Sequence, residues 1–117
     1  MGASESPIMF AVRAALVRSG HWHGWRNNSG KLTPSGSRVP ISFGLGVGSP
    51  DLIGFLTTGP HRGRFTAFEV KSGVGRVSRE QKAWIESARN DGAAVFVVRS
   101  EAEALDALTR ALRGGVE

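Results

Sequence analysis

Apolar positions along this chain come in separate patches whose spacing changes from one to the next. Ile8, Val12, Ala15 and Leu16 recur at helical spacing, with Ser6 as a cap, Pro7 in the first turn and Gly20 as the stop. A helix over 7–18 is predicted. Residues 20–48 are rich in Gly, Ser, Asn and Arg and hold one apolar stretch, 39–45, where a strand would be interrupted early by Pro40. Leu52, Ile53, Phe55 and Leu56 then read as a strand. Turn residues Gly59, Pro60 and Gly63 lead into a second strand over 64–71, in which Phe65, Ala67 or Phe68, and Val70 alternate. These two strands are expected to pair antiparallel. Residues 78–89 read as a helix ending near Gly92, with Ala83, Trp84 and Ala88 available to face a sheet. The run Ala94 to Val98 is apolar throughout, as in a strand buried on both faces. Ser100 and Glu103 have capping-box spacing and open a last helix in which Leu105, Leu108 and Leu112 make one stripe. The order helix, one to three strands, helix, strand, helix predicts an α/β fold with a mixed sheet flanked by helices. No internal repeat or linker breaks the chain, so residues 1–117 are expected to form one domain with a single modest core.

Composition narrows the function classes. Lys and Arg number 15 against 10 Asp and Glu, a formal charge of +5. Such an excess favours a polyanionic partner, because cations that neutralise phosphates release condensed counterions. A basic surface that serves solubility alone is the alternative. With no cysteine in the chain, disulfide scaffolds, thiolate zinc sites and cysteine nucleophiles are excluded. No apolar run approaches the roughly 18 residues that span a bilayer, and the N-terminus lacks a secretory pattern. A cytoplasmic protein is expected.

The chemistry concentrates in two places. Pro50-Asp51 begins one strand, and Glu69-Val70-Lys71 ends the next. Strand residues two apart share a face, so Glu69 and Lys71 project together while Val70 points the other way into the core. Side-by-side strands would bring Asp51 to the same cleft. Two carboxylates and a main-chain carbonyl are hard oxygen donors suited to Mg²⁺ or Mn²⁺, and a neighbouring lysine can orient a water or offset charge on a phosphate. The alternative is that Asp51 caps a turn while Glu69 and Lys71 form the wet face of an edge strand. Against it, acidic residues are disfavoured in strands, and these sit beside strongly apolar segments.

With these residues in place, the chain resembles the virus-type replication-repair nuclease (VRR-NUC) family of the PD-(D/E)xK superfamily, in its stand-alone phage or viral form. The resemblance is carried by Gly48-Ser49-Pro50-Asp51-Leu52-Ile53-Gly54 and by Phe68-Glu69-Val70-Lys71. Next come Gly75, Ser78, Gln81 and Trp84 at fixed spacing, and finally Gly92-Ala93 before Val97-Val98-Arg99-Ser100. It implies a restriction-endonuclease-like mixed sheet flanked by helices. It also implies that Asp51 and Glu69 are metal ligands, that the carbonyl of Val70 completes the inner shell, that Lys71 is the catalytic lysine and that Gln81 belongs to the site. An acidic residue near the start of the leading helix is also expected; Glu5, just ahead of Pro7, is the candidate additional ligand. Gln81 has a second reading, since Ser78-x-x-Gln81 is itself a capping box.

Other residues carry less. Trp84 reads as core rather than as a base-stacking platform, and the glycines from Gly44 to Gly48 suit either a phosphate approach or a turn. His21 and His23 beside Asn27 and Asn28, with His61, suggest a second metal site only weakly, as no ligand spacing supports zinc. A solvated loop in contact with DNA is the plainer account. Arg13, Arg18, Arg26, Arg38, Arg62, Arg64, Arg76 and Arg79 are expected as phosphate contacts collectively, with Arg26, Arg38, Arg76 and Arg79 foremost. The expected function is hydrolysis of DNA phosphodiesters with Mg²⁺ or Mn²⁺, and the resemblance implies structure-selective cutting of branched DNA, such as four-way junctions, by a homodimer. The rivals are a noncatalytic DNA-binding module that acts with a partner nuclease and a basic RNA-associated structural protein.

Overall fold

A computed structural model describes residues 5–116. Helix α1 (Pro7–Arg18) is followed by strands β1 (Trp22–Arg26), β2 (Gly30–Leu32), β3 (Ile41–Phe43), β4 (Leu52–Leu56) and β5 (Thr66–Val70), then α2 (Arg79–Asn90), β6 (Ala94–Val98) and α3 (Glu101–Leu112). The architecture is α/β: a mixed four-stranded sheet, order β1-β4-β5-β6, flanked by the three helices, consistent with a restriction-endonuclease-like fold. β1 and β5 each run antiparallel to β4, as expected for β4 and β5, and β6 is parallel to β5.

The central strands are legible as buried because helices cover them on both sides. Phe68, Val70, Phe96 and Val98 face α1 and α3 in the larger core cluster, with Leu52, Leu56, Val12 and Leu16. Ala67 and Val95 face α2 through Ile85, with Trp84 and Ala88 partly buried beside them. Every residue of β5 is buried, including Glu69. Parallel pairing of β5 with β6 places α2 as the crossover between them, so the end of β5 and the start of α2 lie at one edge of the sheet layer.

Several expectations need correction. The sheet begins earlier than the apolar pattern suggests, because Trp22–Arg26 is a strand and not a solvated loop. Its burial depends on two glycines paired across strands, Gly24 and Gly54. A methyl group at either would collide with the Trp22 ring and with facing backbone. The indole of Trp22 lies in that trough, donates Nε1–H to Thr66 O at 2.9 Å and meets Phe68 edge-on at 5.6 Å. In the segment 39–45 only Ile41–Phe43 is strand, and it pairs with β2 in a separate two-stranded ribbon. On α2, Ile85 is the buried residue and Ala83 is exposed. On α3 the buried stripe is Ala104, Ala107, Leu108 and Ala111, whereas Leu105 is 41% exposed; the small side chains allow close approach to the sheet. Glu103 does not close a reciprocal box: Ser100 Oγ accepts from Glu103 N, but the Glu103 carboxylate accepts from Arg99 N.

The β6 edge of the sheet is covered. At β6, Val95 N donates to Val116 O, and the Arg89 guanidinium covers Val95 O. Such cover blunts an edge against unwanted pairing. Among the described residues no helix is long and apolar enough to cross a membrane.

Candidate active site

Asp51 directly precedes β4, and Glu69 stands one residue before the end of β5. Because Leu52 is paired with Phe68, antiparallel register sets Asp51 beside Glu69. Two hydrogen bonds fix them. Asp51 N–H donates to Glu69 Oε1 at 3.2 Å, and Val70 N–H donates to Asp51 Oδ2 at 2.9 Å. On a strand, the N–H and C=O of one residue project toward the same neighbour. The Val70 carbonyl therefore points to the Asp51 side, where β4 has not yet begun.

Lys71 shares the face of Glu69, and its Nζ lies 3.3 Å from Glu69 Oε2. Gln81, in the first turn of α2, joins the two. Its Nε2 donates to Glu69 Oε2 at 2.7 Å, and its Oε1 accepts from Lys71 Nζ at 2.8 Å and from Ser78 N at 2.9 Å. The Gln81 side chain closes the capping box on Ser78 and also reaches the acid and the lysine with its remaining hydrogen-bonding capacity.

Burial decides the electrostatics. Glu69 is 3% exposed, and desolvation, followed by the nearby Asp51 charge, pushes its carboxyl up to about 7 against the opposing pull of Lys71. Crowded carboxylate oxygens with a convergent carbonyl form a donor set that a hard divalent cation would relieve. On this chemistry the residues present fit Mg²⁺ or Mn²⁺.

The loop before Asp51 is wedged between β1 and α2. Gly48 has φ +87°, and a Cβ there would lie 2.3 Å from the carbonyl oxygen of Glu80, so the loop backbone rests directly on the first turn of α2. The positive φ and this contact both require a glycine there. A polar cavity of about 300 Å³ opens beside it, lined by Asn27, Ser29, Ser49, Asp51, Ser78 and Gln81 among others. The hydrophobic pattern did not single out Asn27, since one polar residue in a Gly- and Ser-rich loop carries no periodic signal.

Glu5 is engaged by a neighbouring arginine. Its carboxylate takes a two-pronged ion pair from Arg13, at 2.7 and 2.8 Å, which holds it below its usual range. Among the described residues no three His, Asp or Glu side chains gather as a metal cluster, so Glu5 does not join Asp51 and Glu69 in this structure. Nor do the histidines form a site: His21 Nδ1 meets Thr58 Oγ1 at 2.7 Å, and His23 packs against Trp25 and Phe55. Trp84 lies 6.3 Å from Phe65 in the smaller core cluster, as its core reading anticipates. Arg38, Arg76 and Arg79 are exposed, and Arg26 ends β1 half-buried. Arg64 donates to the carbonyls of Gly92 and Gly115, and Arg13 pairs with Glu5.

A family model described as the VRR-NUC domain matches residues 41–102, which is more than half of the chain and includes Asp51, Glu69, Lys71 and Gln81. A comparison with curated proteins returns no match.

The raised Glu69 carboxyl has a measurable consequence. The folded protein binds this proton more tightly than the unfolded chain, so its contribution to stability is fully present below pH 4.5 and is lost as pH rises through about 7. In chelator, the urea unfolding free energy should fall by roughly 3 kcal/mol at most across that window, and Glu69→Gln should flatten the profile. A wild-type profile flat between pH 4.5 and 7 would contradict the assignment.

Proposed function

The chain belongs to the VRR-NUC family and so carries a nuclease-type, DNA-processing function, and we propose that it is a metal-dependent DNA endonuclease centred on Asp51, Glu69 and Lys71. The observation that carries this reading is the convergence of two carboxylates, a lysine and the Val70 carbonyl where β4 starts and β5 ends. Asp51, Glu69 and the Val70 carbonyl would hold Mg²⁺ or Mn²⁺. Bound there, the ion supplies Lewis acidity toward a phosphoryl oxygen and lowers the pKa of a bound water.

The chain's own residues set the remaining terms. Lys71, held by Gln81 Oε1 and Glu69 Oε2, stands beside the acids, where it orients a water and offsets charge developing on the phosphate. Gln81 fixes the direction of both neighbours through the rigid first turn of α2. Glu5 stays with Arg13 and is not counted among the ligands. Exposed Arg38, Arg76 and Arg79, with Arg26, supply phosphate contacts that position DNA without reading its sequence.

The favoured form is structure-selective cutting of branched DNA by a homodimer acting in the cytoplasm. Support for self-association comes from the ribbon β2–β3. Leu32 pairs with Ile41 and Gly30 with Phe43, so one face of the ribbon carries Leu32, Ile41 and Phe43. These are 63%, 56% and 46% exposed. A two-stranded ribbon with an uncovered apolar face is marginal in water unless something packs on it.

The direct assay offers labelled four-way-junction, flap, single-stranded and duplex DNA with Mg²⁺, Mn²⁺ or EDTA. Wild type should cut only with metal, the junction best, and Glu69→Gln or Lys71→Met should each lose ~100-fold or more in rate. Binding without cutting on every substrate would replace the nuclease with a noncatalytic DNA-binding module. Separately, sedimentation velocity should find a dimer that Ile41→Asp converts to monomer; a wild-type monomer at micromolar concentration would refute the self-association.

A further inference from the structure

We infer that Asn27 is a positioning residue of this site: it holds the loop 45–51 so that the Asp51 carboxylate stands at hydrogen-bond reach of the end of β5. The inference rests on the nuclease reading above and extends it to a residue outside the acid and lysine set.

Asn27 follows β1 directly and bonds to three successive residues at the end of the loop. Its backbone N–H donates to Asp51 O at 2.7 Å, and its Nδ2 donates to Ser49 Oγ at 2.7 Å and to Pro50 O at 2.9 Å. At the other end of the loop, Leu45 N–H approaches Asn27 Oδ1 at 3.4 Å. Ser49, 8% exposed, is held further by Ser29 Oγ at 2.8 Å and donates to Gly46 O at 2.6 Å. One side chain thus spans the loop from start to finish.

The side-chain type is dictated by these bonds. Pro50 has no N–H of its own and a fixed φ, so the segment is anchored through carbonyls, which need a donor. The Leu45 N–H needs an acceptor. An amide offers both at short reach; aspartate lacks the donor, alanine lacks both, and glutamine is a methylene longer. On its opposite side the same loop rests on the Glu80 carbonyl through Gly48, one residue before Gln81. Asn27 therefore clamps Asp51 against the helix that orients Glu69 and Lys71. Loss of the clamp leaves the side chains of the site intact and lets one carboxylate drift from the other. A displacement of about 1 Å at a catalytic group can cost on the order of 100-fold in rate, and loss of an outer support weakens metal binding ~10- to 100-fold.

The test compares wild type, Asn27→Ala, Asn27→Asp and Val12→Ala, a core variant on α1, for junction cleavage, Mn²⁺ affinity by electron paramagnetic resonance, and urea midpoint. Assays run at a temperature where every variant is folded. Asn27→Ala should lower kcat by ~10- to 100-fold with KM within about twofold, and weaken Mn²⁺ about 10-fold. Val12→Ala should lose stability but retain kcat and Mn²⁺ affinity. If Asn27→Ala does not fold, Asn27→Asp, which keeps size and the acceptor for Leu45, should show the same kcat and Mn²⁺ losses. Unchanged kcat and Mn²⁺ affinity in the folded Asn27 variants, or losses equal to those of Val12→Ala, would overturn the inference. A wild type that neither cuts nor binds Mn²⁺ would instead remove the nuclease reading on which it stands.

Discussion

Two hydrogen bonds between the start of β4 and the end of β5 set the terms for the rest of this structure. Val70 N–H reaches Asp51 Oδ2, and Asp51 N–H reaches Glu69 Oε1, so each acid is fixed by the main chain of the other's strand. The arrangement draws two like charges together, one of them almost fully buried. Such burial is unfavourable unless the charge is paired and hydrogen-bonded. Lys71 and Gln81 meet that need in part, and among the described residues no buried side-chain polar atom lacks a partner. The compensation is incomplete, as the raised Glu69 carboxyl records.

The scaffold reaches this point from three directions. β4 and β5 supply the acids by register, α2 supplies Gln81 through a capping box that would be needed for the helix in any case, and the loop after the ribbon β2–β3 supplies Asp51 from between Asn27 and the Glu80 carbonyl. Sites supported by strands and a helix start are held more tightly than sites on loops alone. The one loop involved is pinned on both sides, which gives it the same rigidity.

The parts of this design that were legible in the sequence are those with a period. Alternation placed Glu69 and Lys71 on one face of β5, the unbroken run Ala94–Val98 marked β6, and Ser6, Ser78 and Ser100 marked helix starts. The parts that stayed hidden depend on contacts distant in the chain. β1 contains Gly24 and reads as a loop until Gly54 is seen opposite it, with Trp22 in the trough between. The alanine stripe of α3 is masked by more hydrophobic leucines, because helix–sheet spacing rewards small volume over apolarity. Glu5 was the candidate additional ligand, and its pairing with Arg13 spans eight residues, beyond the i,i+4 contacts a pattern can anticipate. Asn27 is a polar residue in a polar loop, and only the fold distinguishes it from its neighbours.

The central claim is that Asp51 and Glu69 share one divalent cation. Equilibrium titration of the chelator-stripped protein with Mn²⁺ tests it most directly, with the Asp51→Asn, Glu69→Gln double variant in parallel. The account predicts one Mn²⁺ per chain for wild type and no stoichiometric uptake by the double variant at the same concentrations. Equal uptake by both proteins would place the metal elsewhere and contradict the account.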